Sequence, residues 1–259
     1  MPSETPPTRP STAGRDARTG FLQAHRALME GLDPAGPPHA HMVLKAVQGI
    51  GEIGGNLGIL DASFNPMTRA HERMIEEATS LLGLDEVLLL LSSANVDKAV
   101  FGADLGQRLA MLMAYAEEIT ATSVAGCSHA RFVDKSEALG PLYPAETRLT
   151  FIIGSDTLVR LFDPKYYTDM PLELDRLFFR AGFVVAGRGN AGISEMQVLV
   201  DREASHSQAQ KIRLISLDAA SAAMSSTKVR ERRARGQPIS GLVPDAVERA
   251  IETMNLYRG

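Results

Sequence analysis

Apolar residues along this chain fall into short blocks separated by longer stretches of helical spacing. The blocks are "LGIL" from Leu57, "EVLLLL" from Glu86, "RLTFIIG" from Arg148, "AGFVVAG" from Ala181 and "IRLISL" from Ile212. Each has strand length, and "EVLLLL" does not alternate, so it predicts a strand buried on both faces. Between the blocks, Met74, Ile75, Ala78 and Leu82 form the apolar stripe of a helix from Thr68 to Leu82. Another helix starts near Asp104, where Asp104 and Gln107 stand at capping-box spacing. Further helices follow from about Ser226 and from Pro244 to Met254. Strands spaced by helices predict an α/β fold, a Rossmann-like, mostly parallel sheet with helices on both faces. Such sheets place ligands at the carboxyl ends of their strands.

The amino-terminal part follows a different pattern. Residues 1–19 are rich in Pro, Ser, Thr and Gly and read as a disordered tail, with no apolar centre for a secretory signal. Residues 20–31 read as a short amphipathic helix with Phe21, Leu22, Leu28 and Met29 near one face. "DPAGPPHAH" breaks it, and a second helical piece is expected from His41 to Gln48. Residues 20–54 thus form a helical N-terminal appendage, and residues 55–259 the main domain.

Composition narrows the classes. The net charge of -4 over 259 residues argues against a broad nucleic-acid surface, so no nucleic-acid partner is expected. No run approaches the roughly 18 uncharged apolar residues of a membrane span, so no membrane partner is expected either. The single Cys127 forbids an internal disulfide and reads as a small buried filler; a reducing cytoplasmic location is the simple reading. There is no Trp, so any ring-stacking site must use Phe, Tyr or His. His25, His39, His41, His129 and His206 have no motif around them and read as surface or appendage residues.

Two glycine or polar loops compete for a phosphate role. "GIGEIG", Gly49 to Gly54, has the G-x-G-x-x-G spacing but precedes a strand instead of following one, so it reads as a lead-in. The loop from Asp61 to His71 follows a strand and opens a helix. Backbone N–H groups at a helix start bind anions, and Ser63, Thr68 and His71 add side-chain donors. Asn65 and Pro66 shape the turn. An ordinary turn with Thr68 as N-cap fits the same residues. The segment "MSSTKVRERRARG" repeats the arrangement after the last strand: Ser225, Ser226 and Thr227 at a helix start, with Lys228 and Arg230 adding charge. Arg232, Arg233 and Arg235 extend the basic face, or are only solvated. Two such helix starts suit a polyphosphate such as that of ATP.

At these residues the chain resembles a known group. "SFNPMTRAH", Ser63 to His71, looks like the nucleotide-binding signature of the nucleotidyltransferase superfamily with the HIGH-type motif. Asn65 and Thr68 match its nicotinamide mononucleotide adenylyltransferases of eukaryotic type. "MSSTKVRERRARGQPISGLVPDAVERAIETMNLY" resembles the carboxyl-terminal segment of that family, and "FIIGSDTLVRLFDPKYY" a divergent branch of it. The resemblance implies the HIGH-type nucleotidyltransferase fold and adenylyl transfer from Mg²⁺–ATP to a nicotinamide or nicotinate mononucleotide, giving the dinucleotide and pyrophosphate. The alternatives are another phosphorylated acceptor, or a non-catalytic ATP sensor.

The resemblance also implies roles. His71 would stabilise charge on the leaving phosphates. Ser63, Phe64, Asn65 and Thr68 would form the nucleotide loop. Ser226, Thr227 and Arg230 would hold the β- and γ-phosphates. Gly154 and Asp156 would belong to the adenosine side, Asp156 accepting from ribose hydroxyls, or merely capping a helix. Arg188 would lie near the adenosine and phosphates, or be a surface residue. Lys98 would reach the mononucleotide, or be a solvated loop charge. Arg108 resembles a family arginine that could equally be structural. No protein metal cage is implied, since Mg²⁺ binds through phosphate oxygens and water. A homo-oligomer is compatible with the family. The chain departs from the family's glycines at Asp61 and Ala62, where Asp61 would repel a phosphate that it faced or help hold a metal, and Phe162, Tyr166 and Tyr167 would stand in for a stacking Trp, or be core residues.

Overall fold

The computed structural model describes residues 15–92 and 102–258. Helix α1 (Arg15–Glu30) leads to strand β1 (Ala40–Leu44), then β2 (Asn56–Asp61), α2 (Arg69–Leu82) and β3 (Glu86–Ser92). Next come α3 (Leu105–Glu118), β4 (Thr122–Cys127), α4 (Phe132–Leu139), β5 (Arg148–Gly154), α5 (Ser155–Leu161), α6 (Met170–Arg180) and β6 (Ala181–Arg188). The chain closes with α7 (Gly189–Glu203), α8 (His206–Ala209), β7 (Ile212–Leu217), α9 (Ala219–Ala222), α10 (Ser226–Ala234) and α11 (Asp245–Thr253). The strands form one sheet in the order β1-β4-β3-β2-β5-β6-β7, parallel except for β1.

The two-residue strand period divides the core. Val87, Leu89 and Leu91 of β3 face one apolar layer, shared with Met74 and Ile75 of α2 and Leu109 of α3. Leu88 and Leu90 face the other, shared with Phe151, Phe183 and Leu177. The whole of β3 is buried, as its unalternated pattern requires. Helix α2 buries Met74, Ile75 and Ala78 and ends at Gly83, whose φ of 58° takes the left-handed cap that glycine adopts without a Cβ clash. The Asp104–Gln107 box is formed in both directions, each bond 2.9 Å long.

The amino-terminal stretch differs from expectation. Residues 40–44 are a strand, not part of a helix from His41 to Gln48, and β1 pairs antiparallel with β4 at the sheet edge. Five residues are too few to separate a helical from a strand period, and the partner "TSVAGC" is short and low in bulky apolar residues. The expected tail falls mostly outside the described residues, and α1 already starts at Arg15. Met29 of α1 is fully buried against Gly126 of β4, where a Cβ would meet the Met29 Cε at 2.7 Å. His25, read as a surface or appendage residue, lies in the appendage helix α1 and is buried there, with Nδ1 2.9 Å from His41 Nε2. Burial and the neighbouring His41 ring hold its pKa below the ordinary histidine value.

The run Gly49–Gly54 lies at the amino end of β2. Its Ile50 N–H donates to the Glu86 carboxylate at 2.9 Å, and a Cβ on Gly49 would meet Glu86 Oε2 at 2.3 Å. Gly49 thus lies against a buried protein carboxylate, which Lys45, Ser123 and Tyr143 also engage.

Candidate active site

The sheet order reverses its direction of growth between β2 and β5. Crossovers from β2 build toward β3 and β4, and those from β5 build toward β6 and β7. A crevice is expected outside the carboxyl ends at that point. A cavity of about 250 Å³ is found there, lined among others by Thr68 and His71 after β2, Gly154–Asp156 after β5, Gly187 in β6 and Ser225–Ser226 before α10. A second cavity of about 370 Å³, between α5 and α7, shares Ser155 and Asp156 with the first.

The loop after β2 is rigidly placed. Phe64 takes a left-handed φ of 45°, an uncommon state for a bulky residue, and its buried ring packs 5.7 Å from the His71 ring. Asn65 turns inward: its amide oxygen accepts from the Tyr257 hydroxyl at 2.8 Å and from the Ala103 N–H at 3.1 Å. The buried Arg108 donates to the carbonyls of Ala103 at 3.0 Å and Ser63 at 3.4 Å, so it braces the loop from behind. Burial holds its guanidinium below the ordinary arginine range.

His71 is the third residue of α2. Its Nδ1 accepts the Thr68 N–H at 3.0 Å and lies 2.8 Å from Thr68 Oγ1. Thr68 is itself fully buried. An Nδ1 that accepts an N–H carries no proton, so the ring proton sits on Nε2, leaving that atom as a donor for the cavity. Burial pushes the His71 pKa down to about 4, although the ring keeps some access at the cavity mouth. The ring is therefore neutral at pH 7 and acts as a donor without full charge.

Helix α10 is fastened to the same loop. Ser225 caps it by accepting the Lys228 N–H at 3.2 Å. Ser226 Oγ donates to the Pro66 carbonyl at 2.7 Å, and Arg230 Nη1 to the Asn65 carbonyl at 2.7 Å. Arg230 Nη2 lies 3.2 Å from Thr227 Oγ1, and its buried Nε has no acceptor. Arg233, one turn further on, buries Nε and Nη2 without partners, so it is not simply solvated; its packing was not legible in the sequence. Arg232 instead donates to the Pro238 carbonyl at 2.9 Å.

The structure thus gathers Thr68, His71, Gly154, Asp156 and Ser226 around one cavity. Thr227 and Arg230 adjoin it through α10. Asp156 is exposed, and a Cβ at Gly154 would meet no heavy atom within 4 Å, so the β5 end opens onto free space. Ser63, Phe64 and Asn65 do not line the cavity; they shape the loop. Arg188 ends β6 in register with Leu217, which puts its backbone at the same end of the sheet. Lys98 lies outside the described residues. Ser155, Gly187, Ser221 and Met224 also line the cavity; Ser155 and Met224 fall inside the segments that resemble the family without being singled out, and no motif marked Gly187 or Ser221. Ser221 comes from the one-turn helix α9, capped by Asp218, too short for periodicity to reveal.

On the other side of the switch point, Asp61 does not face the cavity as a free carboxylate. Lys135 of α4, 1% exposed, donates to Asp61 Oδ2 at 2.5 Å, and Ser92 donates to Oδ1 at 3.3 Å. Its repulsion toward phosphate is thereby neutralised. Among the described residues, no group of three or more His, Cys, Asp and Glu stands in metal-binding arrangement.

The cytidylyltransferase-like family matches residues 59–232. Over 225 residues the chain is 33% identical to a probable nicotinate-nucleotide adenylyltransferase of Trichlorobacter lovleyi, covering 78% of this chain and 99% of that one. Over 118 residues it is 38% identical to a putative nicotinamide mononucleotide adenylyltransferase of Schizosaccharomyces pombe, covering 44% of this chain and 45% of that protein. Its fold is similar to that of the Plasmodium falciparum nicotinic acid mononucleotide adenylyltransferase solved with NaAD, with a TM-score of 0.53 at 16% identity, covering 78% and 97% of the two chains.

Proposed function

We propose an adenylyl transfer, from the premise that the chain belongs to the cytidylyltransferase-like family and, within it, to the nicotinate-nucleotide adenylyltransferases. The substrates are Mg²⁺–ATP and a pyridine mononucleotide, nicotinate or nicotinamide. The observation that carries this reading is the single cavity onto which two helix starts and the β5–α5 turn open together. ATP phosphates lie between α2 and α10, and adenosine extends past Asp156 into the second cavity, where the Asp156 carboxylate can accept from ribose hydroxyls.

The acceptor's 5'-phosphate oxygen attacks the α-phosphorus of ATP. The bond from that phosphorus to the bridging β-oxygen breaks, and pyrophosphate leaves. Negative charge grows on the leaving oxygens, where the His71 Nε2–H, the α10 N–H groups and Arg230 supply donors. No protein nucleophile takes part; positioning and charge stabilisation carry the rate. Neutral His71 suits this task, because it need not lose a proton or be held against nearby cations. Mg²⁺ carried in with the ATP phosphates would spread their charge, and Asp61 would not be needed to hold it, being already committed to Lys135. Among the described residues, no helix is long and apolar enough to cross a membrane. We place the enzyme in the cytoplasm, where a lone buried thiol stays reduced.

The test is pyrophosphate release from Mg²⁺–ATP with nicotinate and nicotinamide mononucleotides supplied separately, the product identified by mass. A dinucleotide from either acceptor is expected, and the ratio of kcat/KM values gives the preference. ATP binding with no product from either acceptor would overturn the pyridine-nucleotide reading in favour of another phosphorylated acceptor or a sensor.

A further inference from the structure

A larger cleft, about 1030 Å³, opens at the opposite end of the sheet, at the amino ends of β5, β6 and β7. It is far from the carboxyl-end cavities and shares none of their residues. Its charged lining is Arg148, Arg180, Lys211 and Arg213 against Glu137 and Glu146. In an acidic chain this is a local excess of cations.

Several cations elsewhere are neutralised within the fold: Arg73, Arg131, Arg176 and Arg249 all hold carboxylates. Among the described residues, none of the four cleft cations does. Lys211 donates to the carbonyls of Phe178 and Phe179 at the end of α6, and Arg213 to those of Gln210 at 2.6 Å and Ile212 at 3.2 Å. These acceptors orient the side chains without cancelling their charge. Arg180 reaches across toward the 140 turn, its Nη1 4.0 Å from where a Cβ on Gly140 would stand. Of the two carboxylates, Glu137 is already held by Arg176. Cations without carboxylate partners are also what α10 presents at the other end of the sheet, where an anion is bound on the reading above.

Beside Arg180 stands Phe179, which lines the cleft and is 86% exposed. An aromatic face next to uncompensated guanidinium groups fits a base and its phosphates. We propose that this cleft is a second, non-catalytic site for a nucleotide polyphosphate. Arg148, Arg180 and Arg213 hold the phosphates, and Phe179 stacks the base. This goes beyond the transferase reading and stands whether or not the acceptor is a pyridine nucleotide.

The test is calorimetric titration of the full chain with Mg²⁺–ATP, acceptor omitted. Two equivalents per chain are expected. The double substitution Arg180→Glu, Arg213→Glu should remove one of them and leave kcat/KM for dinucleotide formation within about twofold. Phe179→Ala, on an exposed side chain that folding does not need, should weaken the same equivalent about tenfold. Inorganic triphosphate should compete for it more weakly than ATP. ATP binding that is identical in the wild type, the double variant and Phe179→Ala would overturn the proposal. So would an acidic octaglutamate peptide that binds the cleft when ATP does not, since that outcome assigns the surface to a protein partner.

Discussion

The two sides of the switch point treat their polar groups in opposite ways. On the β5–β7 side, Ser226 spends its hydroxyl and Arg230 its Nη1 on the backbone of residues 65–66, His71 spends Nδ1 on Thr68, the His71 Nε2–H stays open to the cavity, and the Arg230 Nε has no acceptor. On the β3–β4 side, Asp61, Ser92 and Lys135 satisfy one another. One side is built to receive charge from outside, while the other has closed its own charge balance. A ligand site is thus recognised less by how many polar residues it holds than by how many donors remain unspent.

Four substitutions or titrations sharpen that contrast, in order of expected effect. His71→Ala removes an open donor: kcat/KM should fall about a thousandfold, and the thermal midpoint by only a few degrees through the lost capping bond. Near-normal turnover would remove His71 from the site. Lys135→Met attacks the closed side. It strands the Asp61 carboxylate and should cost about 3 kcal/mol of unfolding free energy in urea titration, most of it restored when Asp61→Asn is added. No restoration would mean that the pair does not act as a unit.

The third is a pH titration. His71 has a folded pKa near 4, below the ordinary 6.5, so the unfolded chain takes up the proton first as pH falls. The native state then loses stability between pH 6.5 and 4, and this contribution is constant on either side of that window. The loss should not exceed about 3 kcal/mol, because the cavity mouth admits water. In His71→Asn this part of the slope should vanish; an unchanged slope would show that His71 titrates normally. The smallest effect is at Arg233, whose Nε and Nη2 are buried without acceptors. Arg233→Leu should raise the unfolding free energy of the ligand-free protein by about 1 kcal/mol. A loss instead would reveal a partner for that guanidinium.

The same contrast explains what could be read in the sequence. The α/β architecture was legible because strands such as β3 are short unbroken apolar runs, helices such as α2 carry an apolar stripe at helical spacing, and the Asp104–Gln107 box closes over one turn. The loop at 61–71 and the start of α10 were legible for the same reason: a helix start after a strand is a local arrangement. The Asp61–Lys135 pair joins residues 74 positions apart, and Tyr257 braces Asn65 across 192. No local pattern encodes such meetings. The two missed strands are one miss, because edge strand β1 is defined by its pairing with β4, and neither carries enough alternation alone. The glycines at 49–54 resembled a nucleotide loop, yet Gly49 serves the close approach of Glu86, 37 residues away in sequence and fully buried, while Gly54 packs on Glu146 and Thr147.

On the proposed function, the α2 and α10 starts hold one polyphosphate together. Amide hydrogen exchange of the full chain, with and without Mg²⁺–ATP, tests it most directly. Residues 67–71 and 225–228 should gain protection together, at the same ATP concentration, and both gains should disappear in Arg230→Ala. Protection confined to one of the two segments, or retained in full by that variant, would contradict the account.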